Sequence, residues 1–272
     1  MANITYQCFW PGFTSSKDFI PIFEYIFSDV TSKVTIISLF GNIDPPSDGI
    51  IVSYSGEPFF KYFGPKCLYL TMAPEATIPI HLFSIHAYER NSWPILKGVR
   101  PQIVKDKFCA FVVGNGRPQT RIRFMEKLSK YSRVDSCGGF NNNIGVKAPS
   151  EFNEYMAFLS NYRFNICFEN TNQKNYITEK LFFAWMGGGI PIYWGTPQVL
   201  EWFNPAAFLY LADDTEEAME ELVYKIKILN EDPEWYSMMQ AQPLLLGDIP
   251  ECMNRDTWKK KINKFLEDSN QK

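Results

Sequence analysis

Residues 162–195 read YRFNICFENTNQKNYITEKLFFAWMGGGIPIYWG. Phe164–Phe168 is an apolar run of strand length, and it stops at the polar pair Glu169-Asn170. A polar loop follows. Thr178 then stands where a helix N-cap is expected, ahead of Glu179-Lys180 and an apolar stretch to Met186. Three glycines, Gly187–Gly189, end that helix and lead into a second apolar run, Gly189–Trp194. Strand, helix and strand in this order predict a crossover unit in a parallel sheet. Ligands of such sheets sit at the C-terminal ends of the strands, where Glu169 and Asn170 fall. Unpaired N–H groups and the dipole make a helix N-terminus attract anions, so a lysine in the first turn is unfavourable unless an anion is there. Lys180 facing a phosphate would resolve that conflict. Glu179 is placed to accept hydrogen bonds from ribose hydroxyls, and Tyr176 to stack or hydrogen-bond. An ordinary crossover unit with a solvent-facing Glu179 and Lys180 reads from the same residues.

The same alternation continues outward. Further strands are expected at Lys33–Phe40, Gly49–Tyr54, Lys66–Met72, Lys107–Val113 and Phe208–Leu211, and helices at Lys17–Ser28, Gln119–Tyr131, Ser150–Asn161, Thr215–Asn230 and Arg255–Asp268. Continuous apolar runs such as Phe108–Val113 suit strands covered on both faces. The fold class is therefore α/β. At roughly 150 residues per domain, 272 residues make two domains. The polar stretch Lys97–Asp106, with Gly98 and Pro101, is the expected boundary, giving 1–104, 105–250 and a last helix in 251–272.

Composition narrows the function. Hydrophobic residues make up 46% and charged residues 21%, which excludes a disordered chain. A net charge of −3 lacks the basic excess of a duplex-DNA binder, so no nucleic-acid partner is expected. Aromatics at 16% fit a packed core or a stacking cleft. The cysteines at 8, 67, 109, 137, 167 and 252 include no C-x-x-C pair, which argues against zinc or a redox dithiol. Cys109 and Cys167 lie in apolar runs, so reduced core thiols and a reducing, cytoplasmic setting are expected. The opening MANITYQCFWPGF is neither basic nor continuously apolar, unlike a signal peptide, and the run Leu181–Gly195 is too short to span a bilayer. The sequence has no P-loop, no G-x-S-x-G elbow, no H-E-x-x-H and no D-x-D. Gly114-Asn115-Gly116 starts like a dinucleotide fingerprint, but Gln119 stands at the third glycine position; Asn115 still lies in a plausible phosphate-facing loop.

The stretch CFENTNQKNYITEKLFFAWMGGGIPIYWG strongly resembles the signature of the α1,3/α1,4-fucosyltransferases, inverting enzymes that use GDP-fucose. The likeness runs through FCAFVVGNGRPQTRIRFMEKL and SCGGFNNNIG to FLYLADD, covering most of residues 105–215 and fading in the first hundred. It implies a GT-B architecture of two Rossmann-type domains facing a cleft, the donor in 105–250 and the acceptor mostly on 1–104. Tyr176, Glu179 and Lys180 match positions that bind the GDP part of the donor, Glu169 and Asn170 match the cleft end of the motif, and Arg121 matches a basic residue at the phosphates. An arginine fork suits phosphate oxygens, which agrees with the local chemistry. With Arg121, Lys180 and a helix N-terminus to stabilise the departing GDP, no obligatory metal or other cofactor is expected beyond GDP-fucose as donor substrate.

Inverting transfer needs one carboxylate to take the acceptor proton. Glu57, in GIIVSYSGEP just beyond an apolar strand, is the candidate base, since the family carries a comparable G-E there; Glu75 is the alternate. His81, His86, Tyr88 and Trp93 lie in a segment read as a connecting loop or core near the acceptor side, and Trp185, Trp194 and Trp202 are read as core. The expected acceptor is a glycan hydroxyl, α1,3 on N-acetylglucosamine or glucose, acted on by a monomer with no membrane segment. Another GDP-sugar, or a glycan- or nucleotide-sugar-binding module without turnover, remains open on these residues. The broken glycine fingerprint argues against a Rossmann oxidoreductase.

Overall fold

The computed structural model describes residues 2–7, 20–30, 32–36, 48–53, 66–71, 76–100, 103–114 and 116–270. The chain divides into two compact units. One contains Met1–Trp93, Lys174–Tyr176 and Ile249–Lys272; the other contains Pro94–Gln173 and Ile177–Asp248. The described strands form two five-stranded sheets, and every pairing in both is parallel.

The first unit holds β1 (Ala2–Gln7), β2 (Ser32–Ile36), β3 (Asp48–Ser53), β4 (Lys66–Thr71) and β5 (Ile78–Pro79), in the order β2-β1-β3-β4-β5. Helices α1 (Ile20–Ile26), α2 (Leu82–Glu89) and the terminal α10 (Arg255–Asn270) belong to the same unit. Ile4, Ile50 and Leu70 from the sheet meet Ile22 and Ile26 of α1 and Trp258 and Ile262 of α10 in one apolar core. Burial of such side chains is the main stabilising term, at roughly 25 cal/mol per Å² of apolar area. Tyr88, Trp93 and Trp258 pack edge to face, and the Tyr88 hydroxyl accepts from the Arg255 N–H at 3.0 Å. Tyr88 and Trp93 are thus core aromatics of this unit. The segment read as a connecting loop near the acceptor side is α2, a helix. His81, just before it, is fully buried and held neutral, its pKa pushed down to about 3 by burial.

The second unit holds β6 (Lys107–Phe111), β7 (Val134–Ser136), β8 (Tyr162–Ile166), β9 (Ile190–Tyr193) and β10 (Leu209–Tyr210), in the order β10-β9-β8-β6-β7. Its helices include α4 (Gln119–Ser129), α5 (Phe152–Leu159), α6 (Glu179–Met186), α7 (Val199–Trp202), α8 (Glu216–Glu231) and α9 (Pro233–Gln240), and α3 (Trp93–Leu96) carries the chain from one unit into the other. Along β8, Phe164 and Ile166 share a face and join the large core of Phe111, Phe124 and Leu222. Tyr162, Leu159 and Ala110 form a smaller cluster with α5 residues. Cys109 and Cys167 are buried free thiols, as their apolar surroundings predict, and Cys137 is buried and free as well; Cys8 lies outside the described residues.

Arg100 packs against this unit without a carboxylate. Its Nη1 donates to the carbonyls of Trp185 (2.7 Å) and Gly189 (2.9 Å), and its Nε donates to that of Gln240 (2.8 Å). The guanidinium thereby ties the end of α6 to α9, satisfying carbonyls that a helix end leaves open. No helix of the described residues is long and apolar enough to cross a membrane.

Candidate functional site

The crossover unit of residues 162–195 forms as its pattern predicts. Backbone pairing continues past β8, with Cys167 N–H donating to Ile192 O and Glu169 N–H to Trp194 O, both at 2.9 Å. This delivers Glu169 and Asn170 to the C-terminal edge of the sheet. Thr178 occupies the N-cap position of α6 in extended conformation, but its side chain makes no capping bond. The hydroxyl is engaged elsewhere. It donates to Glu169 Oε2 at 2.7 Å and accepts from Lys180 Nζ at 2.8 Å.

A cavity of about 280 Å³ opens among these elements within the second unit. Val112–Gly114 at the end of β6, Arg121 of α4, Tyr155 and Leu159 of α5, Asn165–Phe168 along β8, Asn170, and Glu179, Lys180, Phe183 and Ala184 of α6 line it. Four of the residues singled out by sequence, Arg121, Asn170, Glu179 and Lys180, therefore meet on one cavity wall system. Arg121 is 2% exposed, and its Nη1 donates to Asn170 Oδ1 at 2.9 Å. Lys180 lies 3.3 Å from Glu169 and 3.5 Å from Glu179. Two cations on a partly apolar, recessed surface make the site suited to a phosphorylated ligand, because a low local dielectric strengthens each contact.

Two of the singled-out residues lie elsewhere. Glu169 is fully buried behind the lining. Burial raises its carboxyl above the ordinary range, while Lys180 and the bonds from Thr178 pull it back down. Tyr176 belongs to the first unit and packs against that unit's apolar core. Asn115 and Glu57, and the alternate Glu75, lie outside the described residues. Among the described residues no cluster of His, Cys, Asp and Glu is arranged to hold a metal ion.

The profile of glycosyltransferase family 10 (fucosyltransferase), C-terminal region, matches residues 103–240, half of the chain. The chain belongs to glycosyltransferase family 10. The matched residues span β6 to α9, the elements that enclose the cavity. Over 123 residues this family 10 chain is 37% identical to an α-(1,3)-fucosyltransferase of Helicobacter pylori, a match covering 44% of this chain and 25% of that relative. The chain spans about a quarter to a third of the length of the curated relatives it matches. Crystal structures of an α1,3-fucosyltransferase share its fold. The structure with GDP is 24% identical with a TM-score of 0.64, and the one with GDP-fucose is 24% identical with a TM-score of 0.60; each likeness covers 98% of this chain and 89% of the other. The fold of the family 10 chain is GT-B, α/β with parallel sheets, as the motif implied.

Tyr155, Asn165 and Phe183 also line the cavity and have no candidate role in the sequence, and Cys167, expected there as a core thiol, lines it too. Asn165 is 3% exposed, and neither atom of its amide has a hydrogen-bond partner. A signal for it existed: one uncharged polar residue inside an otherwise apolar strand core, on the same face as Cys167.

Proposed function

We propose that the chain is an inverting fucosyltransferase that moves L-fucose from GDP-fucose to a hydroxyl of a glycan acceptor, α1,3 on N-acetylglucosamine or glucose. The observation that carries this reading is the cavity on which Arg121, Asn170, Glu179 and Lys180 converge, inside the segment matched by the family profile. Similarity to proteins whose crystal structures hold GDP and GDP-fucose supports the choice of donor.

In this reading Arg121 and Lys180 bind the diphosphate and offset the charge that grows on GDP as the sugar–oxygen bond breaks. The N–H groups at the start of α6 add to the same field. Glu179 accepts from the ribose hydroxyls. Glu57 removes the acceptor proton as its oxygen attacks the anomeric carbon from the face opposite GDP, giving inversion in one displacement. The countercharge comes from side chains, so no obligatory divalent ion is needed, and the chain acts as a monomer.

A mass-spectrometric transfer assay with EDTA present tests the reading. GDP-fucose is offered with lactosamine, lactose, N-acetylglucosamine and simple monosaccharides. A fucosylated product whose formation is lost in Glu57→Gln, with donor binding retained, supports it. Transfer from another GDP-sugar instead, or binding of GDP-fucose with no transfer to any acceptor, would replace it.

A further inference from the structure

Glu169 immediately precedes a residue of the cavity wall, yet it is not part of the lining and is fully buried. Donors converge on both of its oxygens. Oε1 accepts from the Thr178 N–H at 2.7 Å and from the Tyr193 hydroxyl at 3.4 Å; Oε2 accepts from the Thr178 hydroxyl at 2.7 Å, with Lys180 Nζ at 3.3 Å. Such a set suits a carboxylate, which only accepts. The Thr178 hydroxyl has one hydrogen and gives it to Glu169, so it turns a lone pair to Lys180 Nζ at 2.8 Å. The hydrogen bonds therefore run in one direction, from Lys180 through Thr178 to Glu169, and members of such a chain polarise one another. The residue opposite Glu169 is glycine: a Cβ on Gly195 would lie 2.9 Å from Glu169 Cγ. A side chain at position 195 would therefore collide with Glu169 where it now lies.

A lysine in the first turn of a helix is opposed by the helix dipole. A fixed negative charge beneath it reverses that opposition and holds the ammonium at the cavity wall before any ligand arrives. Preorganised charge of this kind costs little rearrangement when the ligand's own charge must be met.

We propose that Glu169 is a positioning residue for donor binding: without touching the nucleotide sugar, it fixes through Thr178 where the Lys180 ammonium meets the donor diphosphate. The inference rests on the donor reading above and gives the Glu of the F-E-N stretch a role distinct from that of its neighbour Asn170.

Calorimetric titration of the chain with GDP and with guanosine tests it, using wild type, Glu169→Gln, Lys180→Met and the double variant. Glu169→Gln is expected to weaken GDP about tenfold and guanosine less than about twofold, and to cost GDP less than about twofold once Lys180 is already Met. Thr178→Val, which keeps the carboxylate and removes the link, should show the same coupling to Lys180 and serves if Glu169→Gln does not fold. An undiminished loss in the Lys180→Met background, or GDP affinity unchanged in both Glu169→Gln and Thr178→Val, would overturn the positioning role alone. Wild type that does not bind GDP would overturn the donor reading, and the proposal with it, so the two failures are distinct.

Discussion

Arg121 Nη1 donates to the side-chain oxygen of Asn170 at 2.9 Å, joining the first turn of α4 to the end of the β8 strand path at the cavity wall. The arginine is buried, so its charge is available to a ligand in the cavity and poorly screened by solvent. Arg121→Met should weaken GDP-fucose binding by about 10- to 100-fold, the loss of a charged hydrogen bond worth roughly 1.5–3 kcal/mol. Arg121→Lys should recover little of it, because a point charge does not reproduce the fork. Equilibrium binding by calorimetry decides. Affinity within twofold of wild type in Arg121→Met would remove Arg121 from the donor site.

Asn165 presents a buried amide to the cavity with neither atom partnered. An unsatisfied buried polar group costs about 1–3 kcal/mol. Asn165→Val should therefore raise the urea midpoint of the unliganded chain at constant m. The same variant should weaken donor binding if the amide meets the ligand, so stability and affinity are expected to move in opposite directions. A fall in both would mean the amide is satisfied in the unliganded protein.

Arg100 makes three hydrogen bonds to carbonyls with its guanidinium buried, and lies 4.7 Å over the Trp185 ring. Burial lowers its pKa to about 10, so it remains charged at neutral pH. Arg100→Ala leaves the Trp185, Gly189 and Gln240 carbonyls without this donor. It should destabilise the chain by about 1–3 kcal/mol, the cost of leaving buried acceptors unpaired. Arg100→Lys should rescue only part, lacking both the fork and the flat contact with Trp185. A denaturation midpoint unchanged in Arg100→Ala would show that the carbonyls find other donors.

His81 supplies a pH dependence of known sign. Burial depresses its pKa from 6.5 to about 3. Between those values the unfolded chain carries a proton at this residue that the folded chain does not, so stability falls as pH drops from 6.5 toward 3. The slope contributed is at most about 1.4 kcal/mol per pH unit. The difference in unfolding free energy between wild type and His81→Phe should shift in this direction between pH 6.5 and 4 and stay flat above pH 7.5. A difference that does not change with pH would mean His81 protonates in the folded chain as readily as in the unfolded one.

The sequence by itself determined the parallel α/β architecture and the family. The apolar runs at 107–113, 164–168 and 189–194 are buried strands because a parallel sheet is covered on both faces, and such burial leaves a continuous apolar signature. The ordered motif from Cys167 to Gly195 carried the family likeness, and its charged residues read directly as candidates for a phosphate site. Other elements were not legible. Helix α2 buries Leu82, Phe83, Ser84, Ile85 and Ala87 in near succession, so it has no polar face and no 3.6-residue stripe to read. In β1 the polar Asn3, Thr5 and Gln7 interrupt the apolar run, though the strand pairs on both sides with β2 and β3. Depth was decided only by tertiary structure. Glu169 and Asn170 are neighbours in sequence and equally polar, but one is walled in by Thr178, Tyr193 and Gly195 while the other reaches the cavity. Thr178 reads as a cap, yet the buried carboxylate claims its hydroxyl. Spacing along a chain says which residues share an element; which of them meets the ligand and which supports it depends on what packs against each, and that is set by parts of the chain far away in sequence.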